Sequence, residues 1–139
     1  MKRRKNASAA PCPCGSGRAF AECCGPFLSG AAAAPTPEAL MRSRYTAYAL
    51  GDDAYVLSTW DETTQPAVLF EAGEARPRWI SLAVTDAKPV TDEAQTGEVT
   101  FTALARTSSG AMRLSERSLF QKKDGRWIYV RALSPDEKI

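Results

Sequence analysis

The chain carries four cysteines, and all of them lie within one short stretch, CPCGSGRAFAECC, from Cys12 to Cys24. Two cysteines flank a single residue, eight residues follow, and two adjacent cysteines close the pattern. Zinc binds four thiolates tetrahedrally, and two short turns commonly supply the ligands in pairs. So short a segment cannot bury enough apolar surface to fold alone, whereas a structural zinc ion contributes about 10–16 kcal/mol. The pattern therefore predicts a zinc module in which the metal replaces a hydrophobic core.

The predicted ligands are Cys12, Cys14, Cys23 and Cys24. Four thiolates leave no open coordination position, so we expect one zinc ion per chain, in a structural rather than a catalytic role. An iron–sulfur or other metal site remains an alternative. Disulfides are a weaker one, because they need an oxidising compartment and a bridge between adjacent cysteines would be strained.

The residues between the cysteine pairs predict how the chain curls around the metal. Gly15 and Gly17 permit positive φ and let backbone N–H groups approach the sulfurs. We expect Ser16 to cap a short helical segment that runs through Glu22, and Gly25-Pro26 to stop it. Glycines around a serine can also cradle phosphate, but here no strand precedes them and no lysine completes a P-loop.

Composition narrows the possible functions. The chain has 139 residues, a net charge of +2 and no histidine, so the commonest general base and metal ligand is missing. The start, MKRRKNASAA, is basic but lacks the apolar region of a signal peptide, and the four alanines at 31–34 are too short to span a bilayer. We therefore expect a cytoplasmic protein without membrane contact. The basic run Lys2–Lys5 is either a solvated tail or a phosphate contact.

Helical signals follow the cysteines. The segment TPEALMRSRYTAYALGD predicts a helix with Thr36 as its N-cap, Pro37 in its first turn and Gly51 at its end. Apolar residues recur along it at helical spacing: Met41, Tyr45 and Tyr48. The segment DDAYVLSTWD predicts a second, shorter helix, and PAVLFEAGEARP predicts a turn of helix and a loop.

From Arg78 onward the pattern alternates with a period of two. Four segments show it: WISLAVTDA, GEVTFTALART, AMRLSERSLF and RWIYVRAL. In the first, we expect Ile80, Leu82 and Val84 to share the inner face. Turns are predicted at Ser109-Gly110 and Asp124-Gly125. Helices followed by antiparallel hairpins predict an α+β domain with helices on one face of a curved sheet.

These signals divide the chain into five parts. We predict a basic tail at 1–11, the zinc module at 12–24, a linker at 25–35, the α+β domain at 36–134 and a short tail at 135–139. Only Phe27 and Leu28 of the linker can bury much area, so we expect the module and the domain to be thermodynamically separable.

The cysteine stretch resembles the SEC-C motif, a zinc-binding knuckle named for the C-terminus of the SecA translocation motor. The following segment, CGPFLSGAAAAPTPEALMRSRYTAYALGD, is similar to the YchJ family of bacterial proteins. That resemblance implies a knuckle in front of a cone-shaped α+β domain like nuclear transport factor 2. Some family members carry a second SEC-C motif at the C-terminus. This chain ends at SPDEKI without one, so we do not expect a function that needs two.

A cone of this shape often encloses a pocket. Glu116 shares the alternation phase of Leu114 and Phe120, so its carboxylate should face the interior. Three roles are open: a carboxylate that binds a ligand or does acid–base chemistry, a structural partner of Arg42 or Arg44, or a glutamate that lies past the pocket in solvent. Four aromatic residues are further candidates for the pocket wall, although such residues are commonly plain core: Tyr45, Tyr48, Trp60 and Trp79.

The main functional hypothesis is a non-catalytic module that binds a protein or the ribosome. In SecA, the resembling knuckle contacts a chaperone and the ribosome, so the resemblance implies an export chaperone or the ribosome as partner. Direct nucleic-acid binding is less favoured, because the arginines and lysines are dispersed. A pure scaffold is a third possibility. The alternative is a small-molecule-binding protein or an isomerase- or hydrolase-like enzyme, with Glu116 and a tyrosine in the cone pocket.

Overall fold

The computed structural model describes residues 10–137. Within that range lie one 3-10 helix, three α-helices and four strands: 3-10 helix Phe20–Glu22, α1 Gly25–Ser29, α2 Pro37–Leu50, α3 Asp53–Ser58, β1 Arg78–Ala87, β2 Thr96–Thr107, β3 Gly110–Lys123 and β4 Arg126–Leu133. None of the described helices is long and apolar enough to cross a membrane. The basic run Lys2–Lys5 lies outside the described residues.

The long helix α2 has the boundaries predicted from sequence. Thr36 Oγ1 accepts a hydrogen bond from the Ala39 N–H at 3.0 Å, and Gly51 ends the helix in the left-handed region, at φ 81°. The shorter helix α3 is confirmed as well, with the Asp52 side chain accepting from the Tyr55 N–H at 3.1 Å. The turn of helix expected between residues 66 and 77 is wrong, because turns and irregular backbone fill that segment.

The four strands form one antiparallel sheet in the order β1-β2-β3-β4. The β3–β4 turn is at Asp124-Gly125 as predicted, and both residues have positive φ, at 52° and 77°. The β2–β3 turn lies one residue earlier than predicted, at residues 108–109, because Thr107 pairs with Gly110.

A bulge in β1 changes which side chains face inward. The register with β2 shifts between Trp79 and Ser81, and the extra residue reverses the phase of the alternation. Ile80 therefore points outward and is 55% exposed, so its predicted place on the inner face is wrong. Trp79 turns inward instead and packs against the core.

Helix α2 lies across the inner face of the sheet, and the core forms between them. Its buried members come from α2 and from three strands: Leu40, Met41, Tyr45, Val99, Phe101, Ala103, Phe120 and Trp127. The chain after α3 then runs along β4, where the Asp61 N–H donates to the Tyr129 carbonyl and the Tyr129 N–H donates to the Thr59 carbonyl, both at 2.8 Å. The predicted α+β architecture is confirmed.

The segment that joins the cysteines to α2 begins as a helix. Gly25-Pro26 opens α1, with the proline in its first turn, where a missing N–H costs nothing. The predicted helix stop at this dipeptide is therefore wrong. Gly30 ends α1 at φ 85°, and Ala34 is buried before α2 begins.

Candidate functional site

The four cysteine sulfurs form one compact group. The Sγ atoms of Cys12, Cys14, Cys23 and Cys24 all lie within 4.8 Å of one another, and all four residues are free thiols and buried. The Cys14–Cys23 and Cys23–Cys24 sulfurs are 3.6 and 3.9 Å apart. Sulfurs at about 2.3 Å from a shared tetrahedral zinc would be roughly 3.8 Å apart, whereas bonded sulfurs are about 2.05 Å apart. The donor set fits a single tetrahedral ion.

The loop between the cysteine pairs is closed by backbone hydrogen bonds. The Cys12 N–H donates to the Arg18 carbonyl at 2.9 Å, and the Gly15 N–H donates to the Cys12 carbonyl at 3.1 Å. Gly15 and Gly17 have φ of 79° and 88°, so the loop uses the conformational freedom predicted for its glycines.

Ser16 has a different role from the helix cap predicted for it. The 3-10 helix Phe20–Glu22 has Ala19 at its N-cap and no side-chain cap. Ser16 Oγ instead accepts from the Arg18 N–H at 3.2 Å and lies 3.1 Å from Cys23 Sγ. The serine therefore acts as an outer-sphere contact to a candidate metal ligand.

The thiols of Cys12, Cys14 and Cys24 differ in pKa. A hydrogen bond from the Cys24 thiol lowers the pKa of Cys14 to about 4, and the same contact with Cys14, together with burial, raises the pKa of Cys24. Burial also raises the pKa of Cys12. The group thus already contains one favoured thiolate, which is the form that binds zinc.

Two arginines flank the cysteine group. The Arg18 guanidinium lies beside Cys23, whose hydrogen bond raises the pKa of the arginine. Arg42 Nη1 donates to the Cys14 carbonyl at 3.0 Å, while its Nε donates to Glu38 at 2.9 Å. Four thiolates around Zn²⁺ carry a formal charge of −2, and the two arginines would offset part of it, since Arg42 is already paired with Glu38.

The cysteine group is continuous with the domain core. The four cysteines belong to the same buried cluster as Leu40, Met41 and Tyr45 of α2. Cys12 Sγ lies 3.7 Å from Thr46 Oγ1, and a Cβ on Gly15 would come 3.6 Å from the Leu82 carbonyl of β1. The expectation of separability counted only Phe27 and Leu28 of the linker, whereas α2 and β1 also contact the module directly.

A cavity of about 390 Å³ opens between α2 and the inner face of the sheet. Six of the seven residues predicted for a pocket line it: Arg44, Tyr45, Tyr48, Trp60, Trp79 and Glu116. Arg42 does not, because residues two apart on a helix point in different directions, and Arg42 faces the cysteine module.

Glu116 is held by hydroxyl groups rather than by an arginine. Its Oε2 accepts from Ser118 Oγ at 2.6 Å and from the Tyr129 hydroxyl at 2.7 Å. Among residues 10–137 no arginine or lysine nitrogen lies within 4.0 Å of it, so the predicted Glu–Arg pair is wrong. Burial and the neighbouring Glu116 raise the pKa of Tyr129, which keeps this phenol a hydrogen-bond donor.

The two hydroxyl partners of Glu116 were missed at the sequence level. Ser118 could have been predicted as a partner, because it shares the alternation phase of Glu116 on β3. Tyr129 could be predicted only from the register of β3 with β4. That register shifts at a bulge between Leu119 and Phe120 and places Tyr129 opposite Phe120.

Arg44 is a buried cation and is only 6% exposed. Its Nη1 donates to the Val56 carbonyl at 2.7 Å and to Thr59 Oγ1 at 2.8 Å. Its Cζ lies 5.0 Å from the ring centroid of Trp60 and 4.7 Å from that of Tyr129, so two aromatic faces stabilise the charge. Burial lowers the pKa of Arg44.

Comparison with known families matches two parts of the chain. Residues 36–132 match the family described as YchJ, middle NTF2-like domain, and residues 10–26 match the SEC-C motif. The chain is 47% identical to a UPF0225 protein from Streptomyces coelicolor, over 86% of this chain and 92% of the relative. It is 44% identical to a UPF0225 protein from Chromobacterium violaceum, over 96% of this chain and 98% of the relative.

Two solved structures share the fold. The solution structure of a SEC-C motif containing protein from Rhodopseudomonas palustris is 36% identical, with a TM-score of 0.72, covering 90% of this chain and 98% of that one. The crystal structure of a SEC-C motif containing protein from Psychrobacter arcticus is 26% identical, with a TM-score of 0.66, covering 96% of this chain and 85% of that one. The predicted cone, like nuclear transport factor 2, is confirmed by the family match together with the observed sheet and helices.

Proposed function

The chain belongs to the YchJ family, and on that premise we propose that it is a non-catalytic binding protein whose cysteine module is built around one structural zinc ion. The observation that carries the proposal is the group of four buried, free Sγ atoms within 4.8 Å of one another. Such a group satisfies a tetrahedral ion completely and leaves no position for substrate or water. The metal therefore organises structure and does no chemistry.

Zinc is the ion that this donor set favours. Tetrahedral sites with four thiolates take zinc or iron–sulfur centres. A cluster with its own sulfides would hold the thiolates further apart than the 3.6 and 3.9 Å found here. Arg18 and Arg42, which lie beside Cys23 and Cys14, would offset part of the formal charge of −2 of such a site.

We place the partner-binding surface on the loop that the metal would fix. Its exposed residues are Gly15, Gly17, Arg18, Ala21 and Glu22. A loop stabilised by a metal loses little conformational entropy on binding, so it suits a docking role. The partner in this proposal is a protein, with an export chaperone or a ribosomal protein as the first candidates.

The metal assignment is tested by elemental analysis of the purified protein. We expect one zinc per chain, and loss of that zinc in a Cys23→Ser/Cys24→Ser double variant. Glu22→Gln, an exposed change beside the same pair, is the matched control and should keep full zinc. Zinc retained by the double variant, or iron in place of zinc in the parent protein, would overturn the assignment.

The docking role is tested by capture on the zinc-loaded protein. Bound proteins are identified by mass spectrometry for the parent, for Arg18→Glu and for Arg106→Glu, which reverses the charge of an exposed arginine on β2 outside both the loop and the cone cavity. A partner that the module recognises should be lost with Arg18→Glu and kept with Arg106→Glu. The same proteins captured by all three would contradict a docking surface at the loop.

A further inference from the structure

The cone cavity is a second candidate site, and none of the four cysteines lines it. It lies between α2 and the inner face of the sheet, has a volume of about 390 Å³, and falls in the size range of small-molecule sites. Most of its wall is aromatic or aliphatic, with Trp60, Trp79 and Phe101 among the rings. Four polar side chains interrupt that wall: Arg44, Arg113, Glu116 and Ser118.

Arg44 is the unusual member of the wall, because it is a buried cation without a carboxylate beside it. No Asp or Glu oxygen in the described part of the chain lies within 4.0 Å of its nitrogens. Burying an unpaired charge is costly, and two aromatic faces with two neutral acceptors offset only part of that cost. Glu116 offsets part of the charge without direct contact, and an anion placed in the cavity would supply the direct counter-charge that Arg44 lacks.

The hydrogen bonds of Arg44 leave one edge of the guanidinium free. Nη1 makes both bonds to the protein, to the Val56 carbonyl and Thr59 Oγ1, whereas Nε and Nη2 make none to a described residue. Nε and Nη2 are not enclosed, because within residues 10–137 the enclosed side-chain polar atoms without a partner are the indole nitrogens of Trp60 and Trp127. Arg44 lines the cavity, which is the open space beside this edge. An Nε–Nη2 edge is the one that binds a carboxylate through two parallel hydrogen bonds.

Glu116 is the hydrogen-bond acceptor among the polar groups of the cavity. Both donors to Glu116, from Ser118 and Tyr129, reach Oε2, so Oε1 remains free to accept. The charged residues of the wall are Arg44, Arg113 and Glu116, which sum to a formal charge of +1. A monoanion balances that charge, and an O–H or N–H on its body can donate to Glu116.

From this geometry we propose that the cavity binds a monocarboxylate with a flat, mainly apolar body. The carboxylate lies on the free edge of Arg44, and the body lies against the rings of Trp60 and Trp79. A donor group on the body improves the fit by reaching Glu116 Oε1.

The test uses three probes that share one ring system and differ in charge: 1-naphthoate, 1-naphthamide and 1-naphthylmethylamine. Each is titrated into the zinc-loaded, ¹⁵N-labelled full chain, and binding is measured by calorimetry and by shifts of the tryptophan indole and arginine Nε–H signals. We expect 1-naphthoate to bind at least about tenfold more tightly than the neutral amide, because only the carboxylate makes a charge-assisted bidentate contact. The amine should not bind measurably.

Variants locate the site. Arg44→Lys keeps the positive charge but loses the planar guanidinium that makes two parallel hydrogen bonds to a carboxylate. The affinity for 1-naphthoate should therefore fall about tenfold or more. Arg106→Gln, an exposed arginine on β2 outside the cavity, is the matched control and should bind like the parent. Met112→Trp places a large ring in the cavity and leaves Arg44 itself unchanged. It should abolish binding, and it keeps the proposal testable if Arg44→Lys is too unstable to use.

Equal affinity for the carboxylate and the amide would overturn the proposal. So would an unchanged affinity in Met112→Trp, or no binding of 1-naphthoate at millimolar concentration to a folded, zinc-loaded protein. Zinc content is measured in every sample, so failure of this site is distinguishable from failure of the metal assignment.

Discussion

The cysteine module and the cone domain bury different kinds of side chain. Between residues 10 and 30, the four cysteines are the only buried residues, and the chain around them is exposed or half-buried. In the cone, carbon-rich side chains such as Leu40, Val99 and Phe120 are almost completely enclosed. The module therefore relies on what its sulfurs bind, whereas the cone relies on the hydrophobic effect.

Helix α2 connects the two regions. Arg42 contacts the backbone of Cys14 from one side of the helix, while Arg44 enters the cone cavity from another. Thr46, which is fully buried, contacts the sulfur of Cys12. One helix therefore contacts both regions, which argues against the separability expected from sequence; zinc removal tests it.

The largest effect should come from the cone core. Phe120 is 1% exposed, and Phe120→Ala should lower the free energy of unfolding by about 3–5 kcal/mol, because it removes apolar burial and leaves a cavity. Urea denaturation followed by tryptophan fluorescence measures the loss. Below its transition the variant should still hold one zinc, since the cysteines are unchanged. A loss under about 1 kcal/mol would show that burial at this position is not what stabilises the cone.

A smaller effect should come from the polar part of the cone. Glu116→Ala leaves the Tyr129 and Ser118 hydroxyls without their acceptor, at a cost of about 1–3 kcal/mol. Glu116→Gln keeps an acceptor oxygen and is the control, with an expected cost below about 1 kcal/mol. Chemical denaturation of both variants makes the comparison. Equal stability of Glu116→Ala and the parent protein would mean that these hydrogen bonds contribute nothing.

The smallest effect should come from a surface pair on the cone. Arg76 donates to both carboxylate oxygens of Asp53, at 2.8 and 2.7 Å, but both side chains are substantially exposed to solvent. Asp53→Asn should therefore change stability by no more than about 0.5 kcal/mol. A thermal melt at low and at high salt checks this. A larger, salt-independent loss would indicate a structural role for the loop that carries Arg76.

Several features that depend only on neighbouring residues were predicted correctly. The caps of α2, the cysteine spacing and the Asp124-Gly125 turn are local signals, and each is present in the fold. The partners of Glu116 depend on strand register instead, and a bulge beside Phe120 sets that register. The outward position of Ile80 likewise depends on a bulge that alternation alone cannot reveal.

The position of the module could not be predicted for a similar reason. Phe27 and Leu28 were the only large apolar side chains between the cysteines and α2, so area alone suggested a loose attachment. The contacts that join the regions are instead polar or involve sulfur: Arg42 to the Cys14 carbonyl and Thr46 to Cys12 Sγ. Hydropathy patterns do not predict contacts of this kind.

The central claim is that the cysteine module and the cone share one core, and zinc removal tests it most directly. All three tryptophans lie in the cone, at positions 60, 79 and 127, so their fluorescence reports the cone rather than the module. The zinc-loaded protein is titrated with urea at fixed free zinc, and zinc release is followed alongside tryptophan fluorescence. We expect the two transitions to coincide, and the midpoint to fall when a strong chelator removes the metal. Zinc release well before the tryptophan transition, with a midpoint that chelation leaves unchanged, would contradict a shared core.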